Sequence, residues 1–468
     1  MKSNKDAVPK NKRKFLQLAL LAFAQFIIAV DYNIMYVALP DIGQALHFTA
    51  ASLQWIVSAY AIGFGGFLLL GGRAADKLGH RRIFLLGLGL FGVASLVGGF
   101  ATDGGLLIAA RFVQGIGAAL LTPATLSLIS TTFTEGGERN KALAIWGAAG
   151  SGGLAAGAVL GGVLTSWLGW QWVLFVMVPM ALAAAIGAIR WLASDVITER
   201  SRQGFDALGA ILATGGSMSL VFALIQGPEV GWLAFQTLAA LLLSALLMTL
   251  LVYLERTAKH PLIPLDLFRN KSVLTSIAVI LVFQATLGGA YYLLTIFLQT
   301  ILGYDALQAG VAFLPITLVS MVSSLKITPY LLQKYGMKLT LFMGMLVTGL
   351  GLLLLTWGMQ LNGTLWLLLP GLIVWGLGSG TTFPTMFIAA ASGVKPSEQG
   401  VASALASTSQ QIGGAIGLAL LIAIATAHVP SFDTTTQSTI LAGIHLAGVI
   451  AGLLTALGAL LAWIIKSK

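Results

Sequence analysis

Long apolar runs decide what this 468-residue chain can fold into. A hydrocarbon core ~30 Å thick needs about 20 helical residues to cross it, and the runs have that length. They are too long and too uniformly apolar to be strands of a membrane barrel. We therefore predict an all-α membrane protein with fourteen transmembrane helices. The predicted spans are about 15–39, 52–71, 83–101, 105–128, 141–163, 171–192, 207–227, 232–254, 272–298, 308–328, 339–358, 364–390, 401–427 and 439–465.

Composition and the placement of charge support this prediction. The chain is 57% hydrophobic and 9% charged, too few charges to cover a soluble surface. Its net charge of +10 would suit a nucleic-acid partner, but the basic residues follow a different pattern. With the N-terminus inside, every Lys and Arg except Arg111, 25 of the 26, lies at a cytoplasmic segment or helix end. We expect a lipid bilayer as the environment, no nucleic acid, and both termini in the cytoplasm.

The N-terminal segment and the lack of cysteine exclude a cleaved signal peptide and cysteine-based sites. The basic segment 1–14 precedes an apolar run that is too long for a signal peptide, which predicts an uncleaved first span. The chain has no cysteine, so disulfides and thiolate metal sites are excluded.

The sequence also repeats itself. "KLGHR" at 77–81 matches "KYGMK" at 334–338, "GIGAALLTP" at 115–123 matches "GLGSGTTFP" at 376–384, and Gly153 and Gly157 match Gly413 and Gly417. The offsets are 257, 261 and 260. Duplicated halves in a membrane protein are typical of transporters, with the binding site between them near the midplane. The predicted domains are a basic cytoplasmic N-terminus at 1–14, a six-helix bundle at 15–192, linkers at 193–271 that flank two inserted helices at 207–254, a second six-helix bundle at 272–465 and a cytoplasmic C-terminus at 466–468.

Several of these motifs resemble one family. "GRAADKLGHRR" (72–82) resembles the loop between the second and third helices of the major facilitator superfamily. "RFVQGIGAALLTP" (111–123), "GLAAGAVLGG" (153–162), "DYNIMYVALP" (31–40) and "FDALGA" (205–210) resemble the motifs of its fourteen-helix drug/proton antiporters. The resemblance implies two pseudosymmetric six-helix bundles plus two inserted helices, and export of amphiphilic, cationic drugs by proton antiport. It also implies a monomer in the bacterial cytoplasmic (inner) membrane.

One position departs from the fifth-helix antiporter motif. A proline normally follows the second glycine of that motif, and here the residue is Ala158. Gly153, Gly157, Gly161 and Gly162 still allow close helix packing. A proline would remove a backbone donor and bend the helix, so its absence weakens the inference of antiport.

Asp31 and Arg111 are the two charged residues whose predicted positions in the membrane are unusual. Asp31 is the one acid of sixteen predicted to lie deep in a span, and Arg111 is the one base off the cytoplasmic side. Counted at ~1.5 Å per residue, both lie at a similar depth. Ionisable groups in a span are functional by default. We predict that they face one cavity and couple transport to protons, with Asp31 as the proton carrier; a static ion pair that orders two helices is the alternative. Asp31→Asn separates these possibilities.

The substrate cavity is expected to hold this single negative centre among aromatic and amide groups, which would suit flat apolar cations. An offset of 260 would place Tyr291 opposite Asp31 in the repeat. For any one cavity residue except Asn33 and Gln114, ordinary helix packing is an equally good explanation. The predicted cavity residues are Tyr32, Asn33, Gln114, Gln284, Tyr291 and Tyr292.

The segment 72–82 is predicted to form a conformational latch between the halves, by family resemblance. Asp76 is expected to pair with Arg81 or Arg82 or to cap the N-terminus of an adjacent helix. Gly72 and Gly79 allow a tight turn. A solvated basic loop is the alternative. The repeat has Gln333 in place of Asp76, so a latch would be asymmetric.

No motif supports catalysis or a cofactor. "GLGLFG" at 87–92 matches a dinucleotide fingerprint, but it lies in a span with no strand before it, and there is no phosphate-binding loop. We predict that the chain is not an enzyme and uses no metal or cofactor. The alternatives are an exporter of an endogenous amphiphile (a lipid, siderophore or metabolite), a proton-coupled nutrient importer and, more remotely, a membrane-embedded enzyme.

Overall fold

The computed structural model describes residues 10–48, 50–195, 207–257, 267, 270–304, 306–395, 398–426 and 436–464. Most residues in these ranges are helical, and none of them lies in a β-strand. The predicted N-terminal segment up to residue 9, most of the linkers within 193–271 and the C-terminus at 466–468 lie outside the described residues.

The described residues form seventeen α-helices, α1 to α17 in chain order. Two π-helical stretches, Phe297–Ile301 and Ser323–Ile327, and a 3-10 stretch, Ala459–Ile464, continue helices of the second half. The helices of the first half are α1 Lys10–Ala45, α2 Ala50–Leu53, α3 Trp55–Leu78, α4 His80–Gly99, α5 Gly104–Thr132, α6 Gly137–Leu168, α7 Trp172–Phe175 and α8 Met177–Trp191. The inserted helices are α9 Ala207–Val230 and α10 Phe235–Thr257. The second half holds α11 Lys271–Ile296, α12 Ala306–Ala312, α13 Leu314–Val322, α14 Thr328–Gly358, α15 Leu365–Ala391, α16 Gln399–Thr426 and α17 Gln437–Gly458.

Thirteen stretches of the described chain are long and apolar enough to cross a membrane, against fourteen predicted. The difference lies in Gln308–Gly358, a stretch of 51 residues. At ~1.5 Å per residue it is more than twice the thickness of a bilayer core. Gly336 interrupts it with a φ of 73°, so the stretch contains both predicted spans, 308–328 and 339–358. The predicted all-helical membrane fold is confirmed.

The two halves pack mostly within themselves and meet along two seams. α1, α3, α4, α5, α6 and α8 form one bundle, and α11 and α13 to α17 form the other. At one seam α16 lies against α3 and α5, and at the other α6 lies against α13 and α15. Of the inserted pair, α9 packs on both α3 and α16, whereas α10 packs on α9. The insertion therefore lies over the α3–α16 seam.

Glycine contacts show that the halves are structural copies. A Cβ built on Gly153 of α6 would lie 2.7 Å from the Phe26 carbonyl oxygen of α1, and one on Gly413 of α16 would lie 2.6 Å from that of Leu281 in α11. Without side chains at these glycines, each helix pair packs backbone to backbone. The turns match as well, because Gly79 and Gly336 both have positive φ, 107° and 73°, where glycine is favoured.

Candidate functional site

An ion pair lies inside the first bundle. Arg111 Nη1 of α5 donates to both carboxylate oxygens of Asp31 of α1, at 3.1 Å and 2.9 Å. The side chains are 2% and 0% exposed, respectively. Removing one partner from such a buried pair strands a charge in a low-dielectric interior, which typically costs ~3–5 kcal/mol. The predicted juxtaposition of the two charges is therefore present in this conformation, but neither group is open to a cavity.

Gln114 joins the two charges rather than lining a cavity. It is fully buried one turn after Arg111. Its Oε1 accepts from Arg111 Nη1 at 2.6 Å, and its Nε2 donates to Asp31 Oδ1 at 2.7 Å. The side-chain amide suits this position because it can accept from the guanidinium and donate to the carboxylate at once.

Two further side chains complete this cluster, and the sequence interpretation missed both. Ser95 of α4 accepts from Gln114 Nε2 at 2.9 Å and donates to the Phe91 carbonyl. The Tyr60 ring of α3 lies 4.4 Å from the guanidinium carbon of Arg111, in cation–π range. The sequence could have indicated Ser95, because it is the one hydroxyl residue in α4. No sequence feature indicates Tyr60. We call Asp31, Tyr60, Ser95, Arg111 and Gln114 the buried polar cluster.

The glycine contacts also correct the predicted repeat partner of Asp31. Phe26 and Leu281 hold equivalent positions in α1 and α11, an offset of 255 rather than 260. This register pairs Asp31 with Thr286 and pairs Tyr36 with Tyr291. The expectation that Tyr291 stands opposite Asp31 was wrong, because the motifs that gave the offset of 260 lie in later helices.

Among its described residues, the second half has no copy of the buried polar cluster. By the same kind of contact, Gly115 and Gly376 touch the carbonyls of Tyr60 and Ile316, and Gly117 and Gly378 touch the backbones of Phe91 and Thr348. These registers extend to the rest of the cluster. The buried counterparts of Tyr60, Ser95, Arg111 and Gln114 are then Ile316, Leu352, Leu372 and Trp375. Thr286 is buried too and accepts from Thr455 Oγ1 at 2.7 Å.

The other predicted cavity residues are scattered. Tyr32 is 47% exposed and meets Tyr36 edge to face at 5.6 Å. Asn33 donates to the Leu154 carbonyl at 2.7 Å. Gln284 and Tyr292 are half-buried. Tyr291 is stacked on the ring of Phe313, with centroids 5.2 Å apart.

Asp76 caps a helix of the other half. Its two carboxylate oxygens accept from the backbone N–H groups of Gly400 and Val401, at 2.9 Å and 3.0 Å, in the first turn of α16. A carboxylate at a helix N-terminus satisfies free donors and complements the helix dipole. Of the two expected arrangements, the structure has the helix cap and not the pairing with Arg81 or Arg82. Gly72 makes the approach possible, because a Cβ there would collide with the Gly400 carbonyl.

Arg81 and Arg82 belong to a second cap, which the sequence interpretation missed. Their backbone N–H groups donate to the two carboxylate oxygens of Asp195, each at 3.0 Å. Gly79 leaves room for Asp195, since a Cβ at this position would collide with that side chain. The segment from Gly79 is therefore fixed to the end of the first bundle, while Asp76 reaches across to the second bundle.

We call the side of the membrane on which the Asp76 cap lies the basic side. The seam between α6 and the second bundle is closed on this side as well. The Trp146 ring is stacked on Phe383 of α15, with centroids 5.7 Å apart and planes 12° apart. Phe387 meets Trp146 edge to face at 5.1 Å. Further along, Ser151 and Ser320 hydroxyls lie 3.2 Å apart. Both seams thus hold the halves together at the basic side.

The glycines of the antiporter-like motif pack α6 against α1. A Cβ on Gly157 would lie 2.7 Å from the Val30 carbonyl oxygen, and one on Gly161 would lie 3.0 Å from that of Ile34. Gly162 instead lines an apolar cavity of about 250 Å³ with Ala158, Val37 and Gly310. No proline interrupts α6, which continues through Ala158 as one helix.

Sequence comparison decides the family. A family model described as the Major Facilitator Superfamily matches residues 21–418. The chain belongs to the Major Facilitator Superfamily. Similar members include the puromycin resistance protein pur8 of Streptomyces alboniger, 37% identical over 464 residues that cover 97% of this chain and 91% of that protein. The cephamycin export protein CmcT of Amycolatopsis lactamdurans is 38% identical over 414 residues, covering 87% and 84%. The predicted family is confirmed.

Solved structures of the superfamily have the same fold. The proton:xylose symporter XylE superposes with a TM-score of 0.68 at 13% identity, covering 97% of this chain and 96% of that one. The human organic anion transporter MFSD10 (TETRAN) gives a TM-score of 0.65 at 16% identity, with 97% and 100% covered. At these identities the likeness concerns the fold alone. As a superfamily member, this chain is a multi-pass membrane transporter of small molecules.

Proposed function

We propose that this transporter exports amphiphilic, cationic drugs in exchange for protons. Relatives that align along most of the chain are named for puromycin resistance and cephamycin export. Within the chain, the observation that carries the proposal is the buried Asp31–Arg111–Gln114 contact. A charge pair in a membrane span is costly and is typically retained for function. The proposed setting is the cytoplasmic membrane of a bacterium, with both termini inside and a monomer as the working unit.

In the proposed cycle Asp31 binds and releases the proton. Burial disfavours a charged carboxylate, and a guanidinium in contact favours it. When the bundles rock, α1 shifts against α5 inside the first bundle, so Asp31 moves relative to Arg111 and the proton affinity of the carboxylate changes. An arginine side chain stays protonated in proteins, so Arg111 acts as the movable counter-charge. In the conformation with the basic side closed, Gln114 bridges the two groups.

The proposed conformational change is a rocking of bundles 15–192 and 272–465 about a central substrate site. The basic-side closure through Asp76 and Trp146 corresponds to one end of that motion. In the proposal, opening of the basic side breaks the Asp76 cap and separates Trp146 from Phe383. Of the predicted cavity residues, Tyr32 is exposed and four are half-buried: Asn33, Gln284, Tyr291 and Tyr292. Aromatic faces such as those of the three tyrosines attract cations.

Proteoliposomes with an imposed pH gradient provide the test. If substrate is exchanged for protons, adding substrate collapses the gradient. Dequenching of a trapped pH dye measures this collapse. The panel consists of amphiphilic cations, puromycin among them, and neutral amphiphiles of matched size. Asp31→Asn should abolish the coupled signal, whereas Asp41→Asn, an exposed acid on the same helix, should leave it intact. Undiminished coupled export by Asp31→Asn would reduce the ion pair to a static helix contact.

A second candidate is export of one endogenous amphiphile rather than of many drugs. It is favoured by relatives named for the export of single compounds, such as cephamycin. The same panel separates the two candidates. A multidrug exporter responds to several unrelated cations, and a dedicated exporter responds to none or to one chemical series. Recovery of every transported compound unchanged would also exclude the remote alternative of a membrane-embedded enzyme.

A further inference from the structure

Asn33 connects the helix that carries Asp31 to the α6 seam. Its Nδ2 donates to the Leu154 carbonyl oxygen at 2.7 Å. Two residues along a helix are about 200° apart, so Asp31 and Asn33 leave α1 on opposite sides. Asp31 reaches α5 and Asn33 reaches α6. Leu154 lies one turn after Ser151, whose hydroxyl lies 3.2 Å from that of Ser320 across the seam.

The carbonyl that Asn33 binds has a special place in α6. In an α-helix the N–H of residue 158 donates to the carbonyl of residue 154. A proline at 158, as in the motif that this segment resembles, would have no N–H and would leave that same carbonyl without its donor. A carbonyl has two lone pairs. Asn33 therefore supplies a donor to the one carbonyl in α6 that the missing proline would have freed.

The second half shows that close packing does not require this amide. In the register of the glycine contacts, Asn33 corresponds to Gly288 and Leu154 corresponds to Gly414. A Cβ on Gly288 would lie 3.2 Å from the Gly414 carbonyl oxygen. There the helices approach with no side chain between them. The bridge from a side chain to the main chain is thus specific to the half that holds the buried polar cluster.

We propose that Asn33 is a positioning residue for proton coupling: its amide fixes the Asp31-bearing turn of α1 to α6 through the Leu154 carbonyl. The bond makes α1 follow α6 when the seam moves, so that Asp31 changes its relation to Arg111 in step with the bundles. This role rests on the proposed proton exchange. It also predicts that α6 accepts proline as well as alanine at position 158.

The first experiment asks whether the bond serves coupling or only stability. Asn33→Leu and Gln17→Leu are matched, because Gln17 Nε2 of α1 also donates to a main-chain carbonyl, that of Trp191, at 2.9 Å. Both variants should lose a similar amount of thermal stability, measured on purified protein in detergent. Only Asn33→Leu should lower the substrate exported per proton, by about tenfold if one lost buried bond is the cause, with partial recovery in Asn33→Gln. Equal transport ratios in all variants would overturn the proposal.

The second experiment tests the bond itself and does not depend on proton exchange. Ala158→Pro should be tolerated alone, since Asn33 still donates to the Leu154 carbonyl. Combined with Asn33→Leu, it leaves that carbonyl unpaired inside the membrane, and the folded fraction after heating should fall by about tenfold more than the single effects predict. Additive effects would overturn the assigned bond. A non-additive result together with unaffected transport by Asp31→Asn would instead refute the proton mechanism and keep the bond.

Discussion

Gly72→Ala is expected to open the basic side of this transporter. At Gly72 the backbones of α3 and α16 touch, and an added Cβ would meet the Gly400 carbonyl and lie 2.5 Å from the Ala404 Cβ. Ordinary contact between such carbon atoms is about 3.5–4.0 Å. The two helices would have to separate by about an ångström, and the obstacle is backbone, which cannot rotate away. The collision exists only while the basic side is closed.

The size of the effect follows from the cost of overpacking. One extra methyl group in a well-packed contact costs about 1–3 kcal/mol. Because the open state does not pay this cost, the ratio of open to closed molecules should rise by roughly 5- to 150-fold. The Asp76 cap opposes the change, since its two hydrogen bonds to α16 are lost on opening. The wild type should therefore be mostly closed, and the variant mixed or mostly open.

Distances between spin labels measure this population directly. The chain has no native cysteine, so labels can be attached at Leu78→Cys and Tyr335→Cys, two exposed positions on the basic side. Gly89→Ala is the matched control, because a Cβ at Gly89 meets nothing within 4 Å. Gly72→Ala should add a longer distance that Gly89→Ala lacks. Identical distance distributions in the two variants would refute the argument that this backbone contact holds the halves closed.

Three smaller changes test other contacts. Gln114→Leu removes a donor to Asp31 and an acceptor for Arg111, so the melting temperature should fall and the pH profile of export should shift. Asp76→Asn keeps one carbonyl acceptor of two, and the open fraction in the spin-label assay should rise by about tenfold. Asp195→Ala should cost ~1–2 kcal/mol at the start of α4, seen as faster hydrogen exchange there. Asp103→Ala, at the cap of α5, should leave α4 exchange unchanged.

The fold was predictable because the bilayer simplifies the problem. Span length, apolar uniformity and the side on which Lys and Arg lie each follow from one physical constraint. The same constraint located Asp31 and Arg111 at one depth, and two charges buried near each other have strong reason to pair. The depth of a residue in the membrane does not show in which direction its side chain points from the helix axis. Gln114 was therefore predicted as a cavity residue, although it points into the buried polar cluster.

The repeat register was predictable only where motifs exist. The matches in the fourth and fifth helices gave offsets of 261 and 260, but the first helix has no motif in its second copy. Backbone contacts at Gly153 and Gly413 place α1 and α11 at an offset of 255. The segment between the early and late helices thus differs in length between the halves. A five-residue error rotates a helix by more than a full turn, enough to exchange Thr286 for Tyr291.

The corrected register gives the polar asymmetry a physical basis. The two bundles share helix contacts at glycine and share positive-φ turns. At the depth of Asp31, however, the first bundle contains an ion pair, whereas the second is filled with apolar side chains, those of Ile316, Leu352, Leu372 and Trp375. An acid placed at Thr286 would find no cation among these neighbours and would have to stay neutral. In the proposed exchange, the change of charge is therefore confined to the first bundle. The second bundle responds only through the seams. Of the seam helices, α6 packs most extensively on α1, the helix of Asp31, and Asn33 ties the two together.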